Sequence, residues 1–535
     1  VLPAHGTPLD QYADRCFYTG SVALILSIKL KRKKNVNLEK IKPARKARIG
    51  LYAIGLHHYW GQFDGLLERL LGYNNFIAGE LGQWGEVHNF GMVDTETKAQ
   101  EAGEFFNARN VDILFCFAST YSTSGSHIAV VQRCQKPVIV LNLQPVERMN
   151  YDKTGTGEWL AHCCACCVPE ISNAFVRAGI PFHVVSGLLG LKKQPEGSIV
   201  NEVTSHLPDA QNAWREISEY ARAATAVRTL KTGRMGFLGH TYPGMLDMYS
   251  DFTMVTAQTG LHVEVLEMCD LAVLVKEVTS RERKQKMDEV AEMFVISEDS
   301  PADPLAKKPT AEQLEWACTV AVAQEKMVRE FDLDALTYYY RGQDNNEYEQ
   351  IQSGFILGHS LLTGRGIPCS GEGDLKTAIA MKICDALDVG GSFCEIVASD
   401  FAEQTIIMGH DGPFHIGISD QKPVLRGLGL YHGKKGSGVS VEAKVKTGPI
   451  TNLGITQTLD GRLKMISNQG ITTSGPTLMI GNTMTPVQFA KNPSAFMNEW
   501  FAMGPTHHFA MSTGHNTGLF SKVAMLMNIQ LESVC

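Results

Sequence analysis

The sequence predicts an α/β chain: two doubly wound, Rossmann-like parallel-sheet domains followed by an antiparallel, β-rich C-terminal domain. Three observations predict it. From residue 48 onward, short wholly apolar runs alternate with segments of helical spacing. Strands without polar alternation, separated by helices, belong to parallel sheets covered on both faces. The same pattern starts again near residue 234, and beyond about residue 390 the chain turns into alternating, turn-punctuated segments poor in helix signals.

In the first unit, RIGLYAIGL, VDILFCFAST and PVIVLNL read as buried strands, while FDGLLERLLGYNNFIAGEL and HIAVVQRC read as helices. A long helical run, NAWREISEYARAATAVRTL, leads to the second unit. There RMGFLG, HVEVLEM and DALTYYY supply strands, and MDEVAEMF and EQLEWACTVAVAQEKMVREF supply helices. LKTAIAMKICDAL reads as a helix opening directly after the acid pair Glu372 and Asp374. In the last unit Asp460-Gly461 is a hairpin signal, and PVQFAKNPSAFMNEWFAMG reads as a helical excursion. The expected division is 1–48 as an extension with a basic run, 49–195 and 196–389 as α/β domains, and 390–535 as the β-rich domain.

Bulk properties exclude several function classes. With 535 residues, several domains are expected. A net charge of −7 favours neither nucleic acid nor an anionic membrane as partner. The apolar run VALILSI is far shorter than the ~18 residues of a membrane span, and its basic neighbours follow it, unlike those of a secretory leader. The 13 cysteines read as reduced thiols of a cytoplasmic protein. The dense group HCCACC, with Cys163, Cys164, Cys166 and Cys167, has no second Cys/His pair to complete a structural zinc site, so small-residue helix packing is its plainer account. No nicotinamide site is expected, because no GxGxxG loop follows a first strand.

Four places set metal-capable side chains beside glycine: Glu372 in GEGD, Glu395 in GGSFCEI, His410 in IIMGHDG, and His507 with His508 in GPTHH. Two carboxylates with two imidazoles suit a divalent ion of intermediate hardness, Mn²⁺ above all, with Co²⁺, Fe²⁺ or Mg²⁺ as substitutes. His240, in GHTYPGMLD, sits where a strand meets a loop, the usual neighbourhood of a ligand in α/β units. Tyr338, Tyr339 and Tyr340 close a strand and read as core and interface aromatics.

Taken together, GEGDLKTAIAMKI, SFCEI, MGHDGPFH and GPTHHFAMST, with GRMGFLGHTYPGMLDM upstream, resemble the L-arabinose isomerase family, within the wider L-arabinose/L-fucose isomerase group. The resemblance runs from about residue 48 nearly to the C-terminus and is closest over 232–415. It implies a catalytic Mn²⁺ held by Glu372, Glu395, His410 and His508. The family's GSQHLYG loop, which reaches a sugar site across a subunit contact, appears here as GLHHYWG, with His57 at the glutamine position and His58 beside it. After the third ligand the chain reads DGPFHIGISD instead of MLEVCPS, and the spacing between Glu395 and His410 is slightly short for the family, which puts His415 in play as a rival ligand.

The resemblance implies aldose–ketose isomerisation of an open-chain pentose or hexose through an enediol, with Glu372 and Glu395 as the acid/base pair. A hydride shift would use the same ligands. It further implies sugar contacts from His57, His58, His240 and His507, and a homo-oligomer, a trimer-based hexamer. The competing reading is a non-catalytic sugar- or metal-binding or structural protein on the same scaffold.

Overall fold

The computed structural model describes residues 38–196, 198–342, 346–431, 434–475 and 477–534. VALILSI and most of the basic extension lie outside the described residues.

Strands β1 (Ala47–Ile54), β2 (Gly85–Val93), β3 (Ile113–Ala118), β4 (Val138–Gln144) and β5 (Phe182–Leu188) form a parallel sheet in the order β2-β1-β3-β4-β5. Every residue of β3 is buried, as its run ILFCFA requires. A second parallel sheet joins β6 (Arg234–Gly239), β7 (His262–Leu266), β9 (Ala335–Tyr339) and β10 (Cys369–Ser370) in the order β10-β9-β6-β7. Strand β8 (Val295–Ile296) stands apart from it.

The C-terminal region is antiparallel and barrel-like. Strands β11 (Gly390–Asp400) and β12 (Thr405–His410) are followed by the short β13 (Val424–Gly427), β14 (Leu430–Tyr431), β15 (Lys434–Lys435) and β16 (Val439–Glu442). Then come β17 (Gly448–Gln457), β18 (Leu463–Thr472), β19 (Thr483–Gln488), β20 (His508–Thr513) and β21 (Gln530–Val534). The order β17-β20-β11-β12-β19-β18-β21 closes through an additional β17–β18 pairing, which is the hairpin around Asp460-Gly461. The expected helical excursion is shorter than its sequence suggested. It spans Pro493–Ala502, because PVQ belongs to β19, all of whose residues but Gln488 are buried.

The helix Pro208–Lys231 belongs to two cores at once. Ala213, Ile217, Tyr220, Ala221 and Ala224 pack under the first sheet, and Ala223, Ala226 and Leu230 pack under the second. The segment entering β1 is tied down by charge: Lys40 pairs with Asp385 at 3.0 Å and Lys42 with Asp332 at 2.5 Å.

Candidate active site at the junction of the second sheet and the barrel

Strand β10 ends in the turn 371–374, and the helix Leu375–Ala386 begins immediately after it. Glu372 takes a left-handed backbone, with φ +60°, a conformation non-glycine residues adopt rarely and chiefly at functional sites. Gly373 follows at φ +70°, and a Cβ there would stand 2.5 Å from the His240 carbonyl oxygen. The glycine therefore lets two backbones touch. Glu372 O accepts from Tyr242 N at 2.9 Å and Gly373 N donates to Tyr338 O at 2.8 Å, so the strained turn is fixed against the loop at Tyr242 and the end of β9.

Asp374 caps the helix. Its carboxylate accepts from Thr377 N at 3.0 Å and from Thr377 Oγ1 at 2.8 Å. The same carboxylate meets His508 Nδ1 at 3.0 Å, with both side chains fully buried. Burial pushes His508 below its ordinary imidazole range, so the ring is neutral. Burial acts to raise Asp374, but the His508 contact and neighbouring donors outweigh it and hold the carboxyl down. The neutral ring donates Nδ1–H to Asp374 and turns the lone pair of Nε2 inward.

The barrel supplies the opposite wall. Glu395 on β11 lies opposite His508 on β20 and opposite Gly409 on β12, the residue before His410. Gly409 permits this because a Cβ there would fall 1.7 Å from Thr483 O. His410 Nδ1 lies 2.9 Å from Asp411 Oδ1, and its Nε2 lies 3.1 Å from His508 Nε2. Phe393 braces both rings, with centroids 4.6 Å from His410 and 4.3 Å from His508.

Around the two facing nitrogens stand Glu372 Oε2, 3.7 Å from His508 Nε2, and Glu395 Oε1, 4.0 Å from His410 Nε2. Ligand atoms of Glu372, His410 and His508 gather within 4.8 Å of one another, as do those of Glu395, His507 and His508. The donor set fits a divalent cation: two imidazole nitrogens, each turned inward by a carboxylate behind its ring, meet between two more carboxylates. Burial acts to lower His410, yet Asp411, Glu395 and Glu372 raise it, so positive charge is favoured at this point.

His507 sits at the edge of the cluster. Its Nδ1 lies 2.6 Å from Asp247 Oδ2 and its Nε2 lies 3.8 Å from Glu372 Oε2. Burial would lower it, but bonding to Asp247 and Glu372 prevails and holds it up to about 10. Buried Lys376 anchors the loop that carries Asp247 by donating to Met248 O and Tyr249 O, each at 3.1 Å, and to Ser250 Oγ at 3.0 Å. Asp247, Glu395, Trp500, Phe501 and His507 line an adjoining cleft of about 330 Å³, a size at the lower end of small-molecule pockets.

The structure thus gathers Glu372, Glu395, His410, His507 and His508. His240 stands beside Gly373, its ring against Tyr339. Tyr338 is a core aromatic against Phe355. His415 lies half-buried elsewhere, its backbone N–H donating to Ser392 Oγ at 3.2 Å, and neither ligand group among the described residues includes it. His57 and His58 form an exposed turn after β1, their rings 3.8 Å apart. Among the described residues, their contacts do not reach the cluster. Sequence reasoning gave no role to Asp247, Asp411 or Lys376, and placed Asp374 only at the opening of a helix, without its role as cap or as partner of His508.

Residues 390–530, the barrel that carries Glu395, His410 and His508, match the L-arabinose isomerase C-terminal domain. Over this region the chain is similar to the L-arabinose isomerase family. A relative named L-arabinose isomerase, from Herpetosiphon aurantiacus, is 24% identical over 344 residues, which cover 62% of this chain and 66% of the relative. Among solved structures, a periplasmic solute-binding protein of Actinobacillus succinogenes with bound D-allose aligns at 12% identity over 55% of this chain and 78% of its own, with a TM-score of 0.15. A probable maltose operon repressor, malR of Staphylococcus, aligns at 11% identity over 60% and 90%, with a TM-score of 0.11. Likenesses this slight carry no argument about fold or ligand. Among the described residues, no helix is long and apolar enough to cross a membrane.

Proposed function

We propose that the protein is a metal-dependent aldose–ketose isomerase acting on an open-chain pentose or hexose. The observation that carries the reading is the convergence of His410 Nε2 and His508 Nε2, 3.1 Å apart, between Glu372 and Glu395 in an L-arabinose isomerase domain. Glu372, Glu395, His410 and His508 would hold the ion. Mn²⁺ suits their mixed oxygen and nitrogen donors, with Co²⁺, Fe²⁺ or Mg²⁺ as substitutes.

A divalent cation bound there supplies Lewis-acid polarisation of the sugar's carbonyl and hydroxyl oxygens. The proton movements fall to the chain. One of Glu372 and Glu395 takes the proton from carbon 2 and returns it at carbon 1 of the enediol, and the other serves the hydroxyl protons. Asp374 keeps His508 in its Nδ1–H tautomer and Asp411 orients His410. His507, held cationic by Asp247, lies 3.8 Å from Glu372 Oε2 and faces the cleft where the sugar hydroxyls would lie. His240, on the loop against Gly373, is a further sugar contact in this reading. The exposed His57–His58 turn would complete the pocket of a neighbouring copy, which calls for a homo-oligomer, a trimer-based hexamer. The enzyme is expected to work in the cytoplasm.

The test is a panel of aldoses (L-arabinose, D-galactose, L-fucose, D-arabinose) incubated with Mn²⁺ or with chelator, the ketose read by chromatography. The expected result is metal-dependent conversion of at least one sugar, absent in Glu372→Gln and in Glu395→Gln. Silence across pentoses and hexoses in folded, metal-loaded protein would leave a binding or structural role.

A further inference from the structure

At the C-terminal edge of the first sheet, far in sequence from the cluster above, the residues HCCACC divide into two pairs with opposite surroundings. Cys164 and Cys167 are buried and point into the fold: Cys164 Sγ donates to Leu143 O at 3.5 Å and Cys167 Sγ to Thr120 O at 3.5 Å. They close off the ends of β4 and β3, which is the packing role expected of small side chains. Burial pushes both thiols up, Cys167 to about 12, as it does Cys163, so what separates the two pairs is geometry: these sulfurs are turned onto backbone carbonyls and not toward each other.

Cys163 and Cys166 form the other pair. The Cys163 thiol donates to Cys166 Sγ at 3.0 Å, and Cys166 Sγ lies 3.1 Å from the Cys163 carbonyl oxygen. Cys166 is exposed, Cys163 is 8% exposed, and Tyr59 lies close enough to feel the charge of both. Neither group of three convergent metal-capable side chains among the described residues contains a cysteine, so a soft-metal site is not the better account. A C-x-x-C pair on a helical turn, one sulfur in solvent and one behind it, has the layout of an attacking thiol and a resolving thiol. The sulfurs need to approach by only about 1 Å to reach the ~2.05 Å of a disulfide bond.

We infer that Cys163 and Cys166 are a dithiol site for thiol–disulfide exchange with low-molecular-weight disulfides, Cys166 attacking and Cys163 resolving. In the first step the Cys166 thiolate attacks one sulfur of RS–SR. A Cys166–S–SR bond forms, the RS–SR bond breaks, and RS⁻ leaves to take up the proton that Cys166 lost. In the second step Cys163 gives up its proton and attacks Cys166 Sγ, expelling the second RS⁻, which takes that proton. Two protein thiols are oxidised to one disulfide, and RS–SR is reduced to two RSH. This site is independent of the isomerase reading.

The test incubates the full-length protein with glutathione disulfide, blocks remaining thiols with N-ethylmaleimide under native conditions, and maps peptides by mass. The expected result is a Cys163–Cys166 linkage in the wild type, with Cys163→Ser arrested as a glutathione adduct on Cys166 and Cys166→Ser unmodified at this peptide. Because the wild type alone decides the linkage, the reading does not depend on the variants folding. A stable glutathione adduct on wild-type Cys166, a linkage to any other cysteine, or an unreacted pair while exposed Cys269 reacts would each overturn it.

Discussion

Two parallel sheets in one chain end in opposite chemistry. The C-terminal edge of the first is finished with thiols, which close off β3 and β4. The edge of the second runs into Glu372 and Asp374 and faces a barrel wall of histidines. The strands are alike in their apolar runs, so the difference lies in the loops, where α/β folds place their ligands. A sheet supplies position, and the residues just past its strands decide what is done there. One likeness sharpens the contrast: each α/β unit buries one histidine, His127 in the first and His359 in the second, with both ring nitrogens lacking a hydrogen-bond partner among the described residues.

The largest expected effect breaks the second edge alone. If the proposed reading holds, His508→Ala should abolish isomerisation, by ~10³-fold or more, since it would remove a proposed ion ligand and the partner of Asp374 together. Initial-rate assays at saturating Mn²⁺ measure this, and wild-type turnover would contradict the cluster. Next is Asp374→Asn, which retains a helix cap but cannot hold the His508 tautomer. Mn²⁺ affinity should fall ~10–100-fold, read by calorimetric titration, with the helical circular dichroism unchanged.

The two buried histidines give the pH comparison. Burial holds His127 down to about 4 and His359 down to about 3, below the ordinary 6.5. Depressed folded values mean stability that is complete above pH 6.5 and lost as pH falls toward about 4 for His127 and about 3 for His359. Each tenfold weakening of a ring's proton affinity on folding contributes at most ~1.4 kcal/mol to that loss. Urea unfolding at pH 7 and pH 5 should show the loss, and His127→Leu and His359→Leu should each flatten the slope by a similar amount, because both folded values lie below pH 5. An unchanged slope in either variant would show that its ring is solvated in the folded protein. The smallest effect is Lys42→Ala: its partner Asp332 is 79% exposed, so the pair should contribute ~0–1 kcal/mol, a shift of a degree or two in Tm at most.

How much was legible follows burial. β1, β3 and β4 are interior strands of their sheet, and their unbroken apolar runs announced them. β2 (GEVHNFGMV) and β5 (FHVVSGL) are edge strands, half exposed and mixed in polarity, and no run marked them. At the site, glycine flanks and the family resemblance pointed to Glu372, His410 and His508, whose positions are fixed locally by turns and strand ends. Asp247 was invisible because its role exists only across 260 residues of sequence, through His507. Asp411 was passed over for the more conspicuous His410 beside it.

The helix Pro208–Lys231 is about 36 Å long at 1.5 Å per residue, and its two halves are keyed into different hydrophobic cores. A beam shared by two floors transmits tilt from one to the other. Swinging the first sheet away from the second would tear apolar contacts from both ends of this rod at once. Clamshell breathing between the sheets is therefore costly. Access to the cleft at Glu395 then falls to the short surface segments that line it, such as 504–507.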